Sequence, residues 1–277
     1  MTQVPTIRLN NGVDIPQFGF GVFQVPPDET AETVRAAFDA GYRHIDTAQM
    51  YGNEEGVGRA LAESGLPRDE VFLTTKLTND GHGHDAAVRR LDESLQKLGT
   101  DHVDLYLIHW PRPGDDRYVD TWRGFEKALS EGKARSIGVS NFTVEHLQRL
   151  AKETGTVPAV NQVELHPRFG QADLRGYHAE HGIATEAWSP IGQGKGLLDD
   201  PVLTGLAQKY DRSPAQVVLR WHVQLGNIVF PKSMHAERMR ENIDVFDFEL
   251  AGDDMQEISA LDRGAGGRMG PDPDRFG

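Results

Sequence analysis

From Phe18 onward the chain keeps a two-beat rhythm, a short apolar strand followed by an amphipathic helix, and repeats it eight times. The predicted strands are Phe18–Gly21, His44–Asp46, Val71–Thr75, Val103–His109, Ser136–Val139, Ala159–Val163, Ile183–Trp188 and Ile228–Phe230. The helices predicted between them are Glu29–Asp39, Glu54–Glu63, Asp85–Leu98, Val119–Ser130, Val144–Lys152, Gln171–Glu180, Pro214–Leu225 and Ala236–Val245. Strict strand–helix alternation implies a parallel sheet with right-handed crossovers. Eight repeats in about 250 residues fit a closed (β/α)8 TIM barrel better than an open sheet. The strands are mostly unbroken Val/Ile/Leu runs, as expected when both faces are covered.

The remaining segments decorate that frame. Thr6–Leu9 and Val13–Ile15 flank Asn10-Asn11-Gly12 and predict an N-terminal β-hairpin. Pro201–Tyr210 and Asp254–Ala260 predict two extra helices outside the repeat. Asp200-Pro201 and Ser213-Pro214 are cap-then-proline helix starts. The Gly/Pro/Asp-rich stretch from Gly264 is expected to be loosely ordered. No linker interrupts the pattern, so residues 1–277 read as one domain.

Composition excludes several classes of function. With 29 Lys+Arg against 42 Asp+Glu, the chain is not a general binder of nucleic acid or of an anionic membrane. Any anion must be held by local basic residues against an unfavourable overall field. The absence of cysteine removes disulfides, thiolate catalysis and Cys-ligated metals. Met1–Asn10 lacks a basic and an apolar leader segment, and no apolar run nears membrane-spanning length. A cytoplasmic location is the expectation.

In a barrel of this class the C-terminal strand ends line the active site. Those ends carry Asp46, Lys76, His109, Asn141, Gln162, Trp188 and Lys232, with Tyr51 five residues beyond Asp46. Strands serving packing alone would end in turn residues of no particular chemistry. A free phenol has a pKa near ~10 and is a weak acid at neutral pH. An adjacent ammonium lowers it by roughly one to three units. Lys76, one strand over, is placed to supply that ammonium, and Asp46 to keep it charged despite burial. His109, across the mouth, can hydrogen-bond a carbonyl oxygen beside Tyr51. The set suits protonation of an oxygen while its carbon is reduced.

The run Tyr42-Arg43-His44-Ile45-Asp46-Thr47-Ala48-Gln49-Met50-Tyr51-Gly52-Asn53-Glu54 resembles the signature of the aldo-keto reductase superfamily. The same is true of Thr74–Leu77, Leu107–Pro111, Ile137–Phe142, Asn161–Pro167 and Phe230–Ser233, in order and at family spacing, from about residue 3 to residue 262. Gly21-Val22-Phe23, Trp188-Ser189-Pro190 and Asn242–Phe248 are most similar to its bacterial prostaglandin F synthase-like and 2,5-diketo-D-gluconate reductase members. The resemblance implies a catalytic tetrad of Asp46, Tyr51, Lys76 and His109, NADPH as hydride donor, a small carbonyl substrate and a monomer.

Against that cofactor the residues read consistently. No Gly-x-Gly-x-x-Gly follows a first strand, so a Rossmann site is not expected. A barrel holds phosphates on its last loops and a nearby helix start. Gly192-Gln193-Gly194-Lys195-Gly196 can wrap a pyrophosphate, or can be a plain flexible loop. Lys232, Ser233 and Arg238 suit a ribose 2′-phosphate, which Arg238 can grip bidentately; a solvated basic helix face is the alternative. Trp188 offers a flat face to the nicotinamide, or is a core aromatic. By family analogy Ser140, Asn141 and Gln162 hold the carboxamide, Ser189, Pro190, Ile191 and Gln193 line the cofactor, and Glu241 and Asn242 meet the adenine.

Two positions depart from the family pattern: His235 stands where relatives often carry Arg, and Thr78 where several place Trp, which implies a roomier pocket. Phe23, Met50 and Trp110, with Trp188, are the expected apolar walls. The short polar stretch after Leu261 implies no long specificity loop over the mouth. His82-Gly83-His84 lies in a loop without a carboxylate at ligand spacing, and no metal site is expected. Competing functions are a glycosidase using Glu164 and Glu186, an aldolase with a Schiff base on Lys76, and a nicotinamide-binding regulatory protein with little turnover.

Overall fold

The structure, a computed structural model, describes residues 4–276. Strands β1 (Thr6–Arg8) and β2 (Asp14–Pro16) pair antiparallel, Ile7 opposite Ile15, around a turn in which Gly12 has φ 85°. Leu9 and Ile15 pack with Phe72, Leu105, Leu107, Val160 and Ile228, residues of the strands beyond the hairpin. The hairpin is thus a plug on one end of the sheet.

Eight parallel strands follow: β3 (Phe20–Gly21), β4 (His44–Asp46), β5 (Phe72–Leu77), β6 (Val103–Ile108), β7 (Ala134–Ser140), β8 (Val160–Glu164), β9 (Ala184–Trp188) and β10 (Ile228–Val229). Each pairs with its neighbours in chain order. The last meets the first through Gly19 N–H on Val229 O at 2.9 Å and Val229 N–H on Gln17 O at 3.2 Å. A side chain at Gly19 would put its Cβ 2.6 Å from the Phe230 ring, so closure of the barrel needs glycine there.

The helices of the repeat are α1 (Thr30–Asp39), α2 (Glu54–Glu63), α3 (His84–Leu98), α4 (Tyr118–Ser130), α5 (Val144–Glu153), α6 (Ala172–Glu180), α8 (Pro214–Gln224) and α9 (Ala236–Ile243). Helix α3 illustrates why they lie on the sheet: Ala87, Leu91, Leu95 and Leu98 form one buried stripe at helical spacing. Helices α7 (Pro201–Tyr210) and α10 (Gly252–Ser259) stand outside the repeat. The Asp200 carboxylate accepts Val202 N–H at the start of α7, and Ser213 and Gln216 form a reciprocal capping box on α8. The (β/α)8 barrel, hairpin and two extra helices are those expected. Among the described residues no helix is long and apolar enough to cross a membrane.

The tail is a correction. The stretch from Gly264 was expected to be loosely ordered, yet it is held against the barrel. Met269 and Gly270 donate their backbone N–H groups to the Glu164 carboxylate at 2.6 and 2.8 Å. Phe276 then lies on Trp110, ring centroids 4.4 Å apart. Polarity suggested solvation; a buried carboxylate with acceptor sites to fill decided otherwise.

Candidate active site

Tyr51 is fixed by the loop that follows β4. A single 3-10 turn, Gln49–Tyr51, presents the ring, and Gly52 at φ 67° redirects the chain into α2. Asn53 pins this turn to the loop after β3, donating to Val22 O at 2.9 Å and Val25 O at 3.3 Å while accepting from Thr47 Oγ1 at 2.9 Å. Gln49 ties it to the next strand and helix, accepting Thr78 N–H at 2.9 Å and donating to Ser94 Oγ at 2.8 Å. The phenol is held from three sides.

Lys76 is fully buried on β5. Its ammonium donates to Asp46 Oδ1 at 2.6 Å, to Thr47 O at 3.0 Å and to Tyr51 Oη at 3.5 Å. His109 follows β6 and stands edge-on to Tyr51, centroids 5.8 Å apart and planes at 76°. The four expected catalytic residues therefore meet at one point of the mouth.

Their charge states follow from burial and neighbours. Burial opposes the Lys76 ammonium, but Asp46 and Tyr51 outweigh it and the pKa is raised, so Lys76 is charged. Burial, with the Lys76 charge adding, pushes His109 down to about 3 and keeps the imidazole neutral. Its Nδ1 is buried without a partner in the protein. For Tyr51 the direction is opposite to the expectation. Burial raises the phenol's pKa, Lys76 pulls it back, and Asp46 raises it again. The carboxylate that keeps Lys76 charged also cancels part of its pull. Because the ring is only half-buried, water at the mouth softens the upward push.

Of the residues expected to hold the cofactor, Asn141 and Gln162 touch these four. Asn141, in left-handed backbone at φ 63°, donates to His109 O at 3.0 Å and Ser140 Oγ at 3.1 Å, and accepts Trp188 Nε1–H at 2.8 Å. Ser140 Oγ donates to Gln162 O at 2.8 Å. The Gln162 amide gives both hydrogens to carboxylates, Asp46 and Glu186, each at 2.8 Å, leaving Oε1 as its free acceptor. Ser189 and Gln193 are also left-handed and joined side chain to side chain, Pro190 O accepts from His222, and Ile191 is half-buried. After β10, Lys232 is exposed, Ser233 Oγ accepts His235 N–H at 3.1 Å, and α9 starts without a side-chain cap. Arg238 and Glu241 are exposed on α9, and Asn242 is buried there.

Of the expected walls, Phe23 and Met50 are large apolar side chains left about half exposed, and Phe23 packs 5.1 Å from the Tyr51 ring. Trp110 is buried beneath Phe276. Thr78 is half-buried at the end of β5. Three roles escaped the sequence reading. Glu164, accepting from His166 Nε2 at 3.0 Å as well as from the tail, is its anchor. Gly270 lies where a Cβ would meet the Trp188 ring at 2.6 Å. Arg168 donates to Lys195 O at 3.3 Å and Gly196 O at 2.7 Å, and its own carbonyl accepts Arg263 N–H at 3.0 Å, joining the glycine-rich loop to the tail. Only the proximity of an Arg to a Gly-rich loop across a fold, invisible in sequence, marks it.

Two competing chemistries lose their footing. Glu164 is fully engaged by His166 and the tail, and Glu186 is shut inside the barrel, so they do not face a common substrate space. A Schiff base needs a neutral amine, whereas Lys76 is held charged by Asp46.

Comparison with known proteins now decides the family. The model of the aldo/keto reductase family matches residues 17–263. The chain belongs to the aldo/keto reductase family. It is similar over 98% of its length to glyoxal reductase of Bacillus subtilis, 51% identical and covering 97% of that protein. It is 48% identical to methylglyoxal reductase DkgA of Escherichia coli K12 over 100% of both chains. Its fold superposes on a mutant of Gox0644 in complex with NADPH at TM-score 0.95, with 48% identity and 100% of each chain covered. On a Bombyx mori aldo-keto reductase in complex with NADP the TM-score is 0.89, at 41% identity over 95% of this chain and 94% of that one. This chain is an oxidoreductase of that family.

Proposed function

We propose that this aldo/keto reductase is an NADPH-dependent carbonyl reductase in which Tyr51 is the proton donor. The observation that carries the reading is the meeting of a phenol, a buried charged lysine and a neutral imidazole at one point among the strand ends. The residues at the mouth fit NADPH. Asn141 Oδ1 and Gln162 Oε1 retain acceptor capacity for a carboxamide. Left-handed backbone at Asn141, Ser189 and Gln193 shapes the loops that would hold it. The uncapped start of α9, with Lys232 and Arg238 exposed, suits a phosphate in an otherwise acidic protein.

When bound, NADPH supplies the hydride that reduces the carbonyl carbon. The chain's own groups do the rest. Tyr51 Oη gives its proton to the carbonyl oxygen as negative charge develops there. An alkoxide is a far stronger base than a phenolate, so a phenol of raised pKa still suffices and arrives in its protonated form. Lys76 stabilises the phenolate left behind. His109, neutral, donates one ring N–H to the same oxygen and orients it. Phe23, Met50 and Trp110 exclude water from the reacting carbon.

The named activities of the relatives make small α-dicarbonyl aldehydes the first substrates to try. Oxidation of NADPH with methylglyoxal, followed at 1 mM or below of substrate (about the usual upper KM range), is expected in the wild type. Tyr51→Phe should lose about 10²-fold or more of turnover, the scale of general-acid catalysis, while binding NADPH as before. Near-wild-type turnover in that variant, or binding of NADPH without oxidation across a broad carbonyl panel, would overturn the assignment.

A further inference from the structure

One more buried carboxyl is tied to the four residues at the mouth, and the chemistry above gives it no task. Glu186 sits in the middle of β9, fully buried. Its Oε2 accepts from Gln162 Nε2 at 2.8 Å, and the same amide donates its second hydrogen to Asp46 Oδ2 at 2.8 Å. Asp46 Oδ1 takes Lys76 Nζ at 2.6 Å, and Lys76 reaches Tyr51 Oη at 3.5 Å. An unbroken line of hydrogen bonds runs from β9 through β8, β4 and β5 to the phenol. Oε1 of Glu186 has no partner in the protein.

We propose that Glu186 is a positioning residue of the catalytic centre, which fixes the Gln162 amide against Asp46 and so sets the field under Lys76 and Tyr51. This rests on the reading of Tyr51 as the proton donor. The neighbours define what the carboxyl feels. Gln162 is its register partner on β8, and apolar Ile228 its partner on β10. Asp46 and Lys76 act on it from across the barrel. Burial first, then the Asp46 charge, push Glu186 up to about 8, against a smaller pull from Gln162 and Lys76. At neutral pH the shared amide therefore bridges the Lys76–Asp46 ion pair and a protonated carboxyl.

Two consequences follow. Above about pH 8 a second negative charge appears inside the barrel. It tightens the hold of both Lys76 and Tyr51 on their protons, and the phenol becomes a weaker donor. The acid also carries a stability penalty. Its folded pKa lies above the ordinary 4.5, so its contribution to stability is full below that value and is lost as pH rises to about 8. Glutamine would fill the same volume without that penalty, which sets this side chain apart from a space-filler.

The test is Glu186→Gln in the whole enzyme, with NADPH and methylglyoxal, reading kcat as a function of pH. Wild-type reduction is expected to fall several-fold as pH passes through about 8, while the variant stays level there. The urea midpoint of the variant should rise at the same pH. A changed midpoint with an unchanged shape of the kcat profile would mean a purely structural residue and would overturn the proposal. Glu186→Ala, which leaves the amide one partner short, should lower kcat across the range with NADPH binding retained; undiminished kcat counts against it. At neutral pH the infrared difference between wild type and Glu186→Gln should show the carbonyl band of a protonated carboxylic acid, and its absence contradicts the assignment. Normal turnover by Tyr51→Phe would sink the donor reading itself, whereas an inactive Tyr51→Phe beside identical wild-type and Glu186→Gln profiles would sink only the role of Glu186.

Discussion

The barrel holds a buried aspartate near each end, and the two are built differently. Asp104, at the start of β6, accepts from Arg68 at 2.8 Å, Arg135 at 2.7 Å and Leu73 N–H at 2.9 Å. Asp46, at the end of β4, accepts from Lys76 and from the Gln162 amide. Arginine never gives up its proton in a protein, whereas lysine can. Around Asp104 every charge is fixed; around Asp46 stand a lysine, a phenol, a neutral imidazole with an unpartnered Nδ1 and a carboxyl with an unpartnered Oε1. Hydrogen bonding completed at one end and left open at the other separates a joint that stabilises from a site that reacts.

Breaking both carboxylates in the same way sharpens that contrast most. Asp46→Asn removes the charge that keeps Lys76 protonated, and kcat should fall by about 10²-fold, the scale of a lost acid–base partner. Asp104→Asn should leave kcat per folded molecule unchanged. Urea denaturation should instead register a loss of about 2 kcal/mol, less than for a fully buried pair because Arg135 is half exposed. Comparable kcat losses in the two variants would erase the distinction between the ends.

The next effect is on the cofactor. Arg238→Ala should weaken NADPH by about 10-fold, one charge-assisted contact to a phosphate, and leave NADH unaffected; equal losses for both would remove Arg238 from the 2′-phosphate. A smaller effect is expected at the tail. Gly270→Ala drives a Cβ toward the Trp188 ring and the Glu164 carboxylate, 2.6 and 3.0 Å away, and should unlatch the strap. The KM for methylglyoxal should then rise about 3-fold, the weight of one lost packing contact, and an unchanged KM would mean that Phe276 does not wall the pocket.

Much of this was legible in the chain. The strand–helix alternation determines the barrel, and in a barrel the strand ends converge, so Asp46, Lys76 and His109 could be placed together before any coordinates. Tyr51 followed from its distance beyond Asp46. What was not legible depends on backbone groups or on depth. The N–H groups of Met269 and Gly270 carry no mark in the sequence, so the Glu164 anchor that holds the tail could not be foreseen. Arg168 acts through carbonyls at Lys195 and Gly196, which any residue would present. Glu186 lies within its strand rather than at the end, and only the alignment of β8 with β9 puts it on the Gln162 amide. The sign of the Tyr51 shift was misjudged for a similar reason. The pull of a neighbouring lysine can be read from spacing, but the opposing weight of burial cannot.

That sign is open to direct observation. Ultraviolet difference titration of the wild type against Tyr51→Phe isolates the phenolate absorbance of this one residue. With burial and Asp46 prevailing over Lys76, the phenolate should appear only above the ordinary tyrosine value of 10.0, so that Tyr51 is a filled proton donor throughout the neutral range. A phenolate already present below that value would contradict it, and would make Lys76 rather than burial the dominant influence at the mouth.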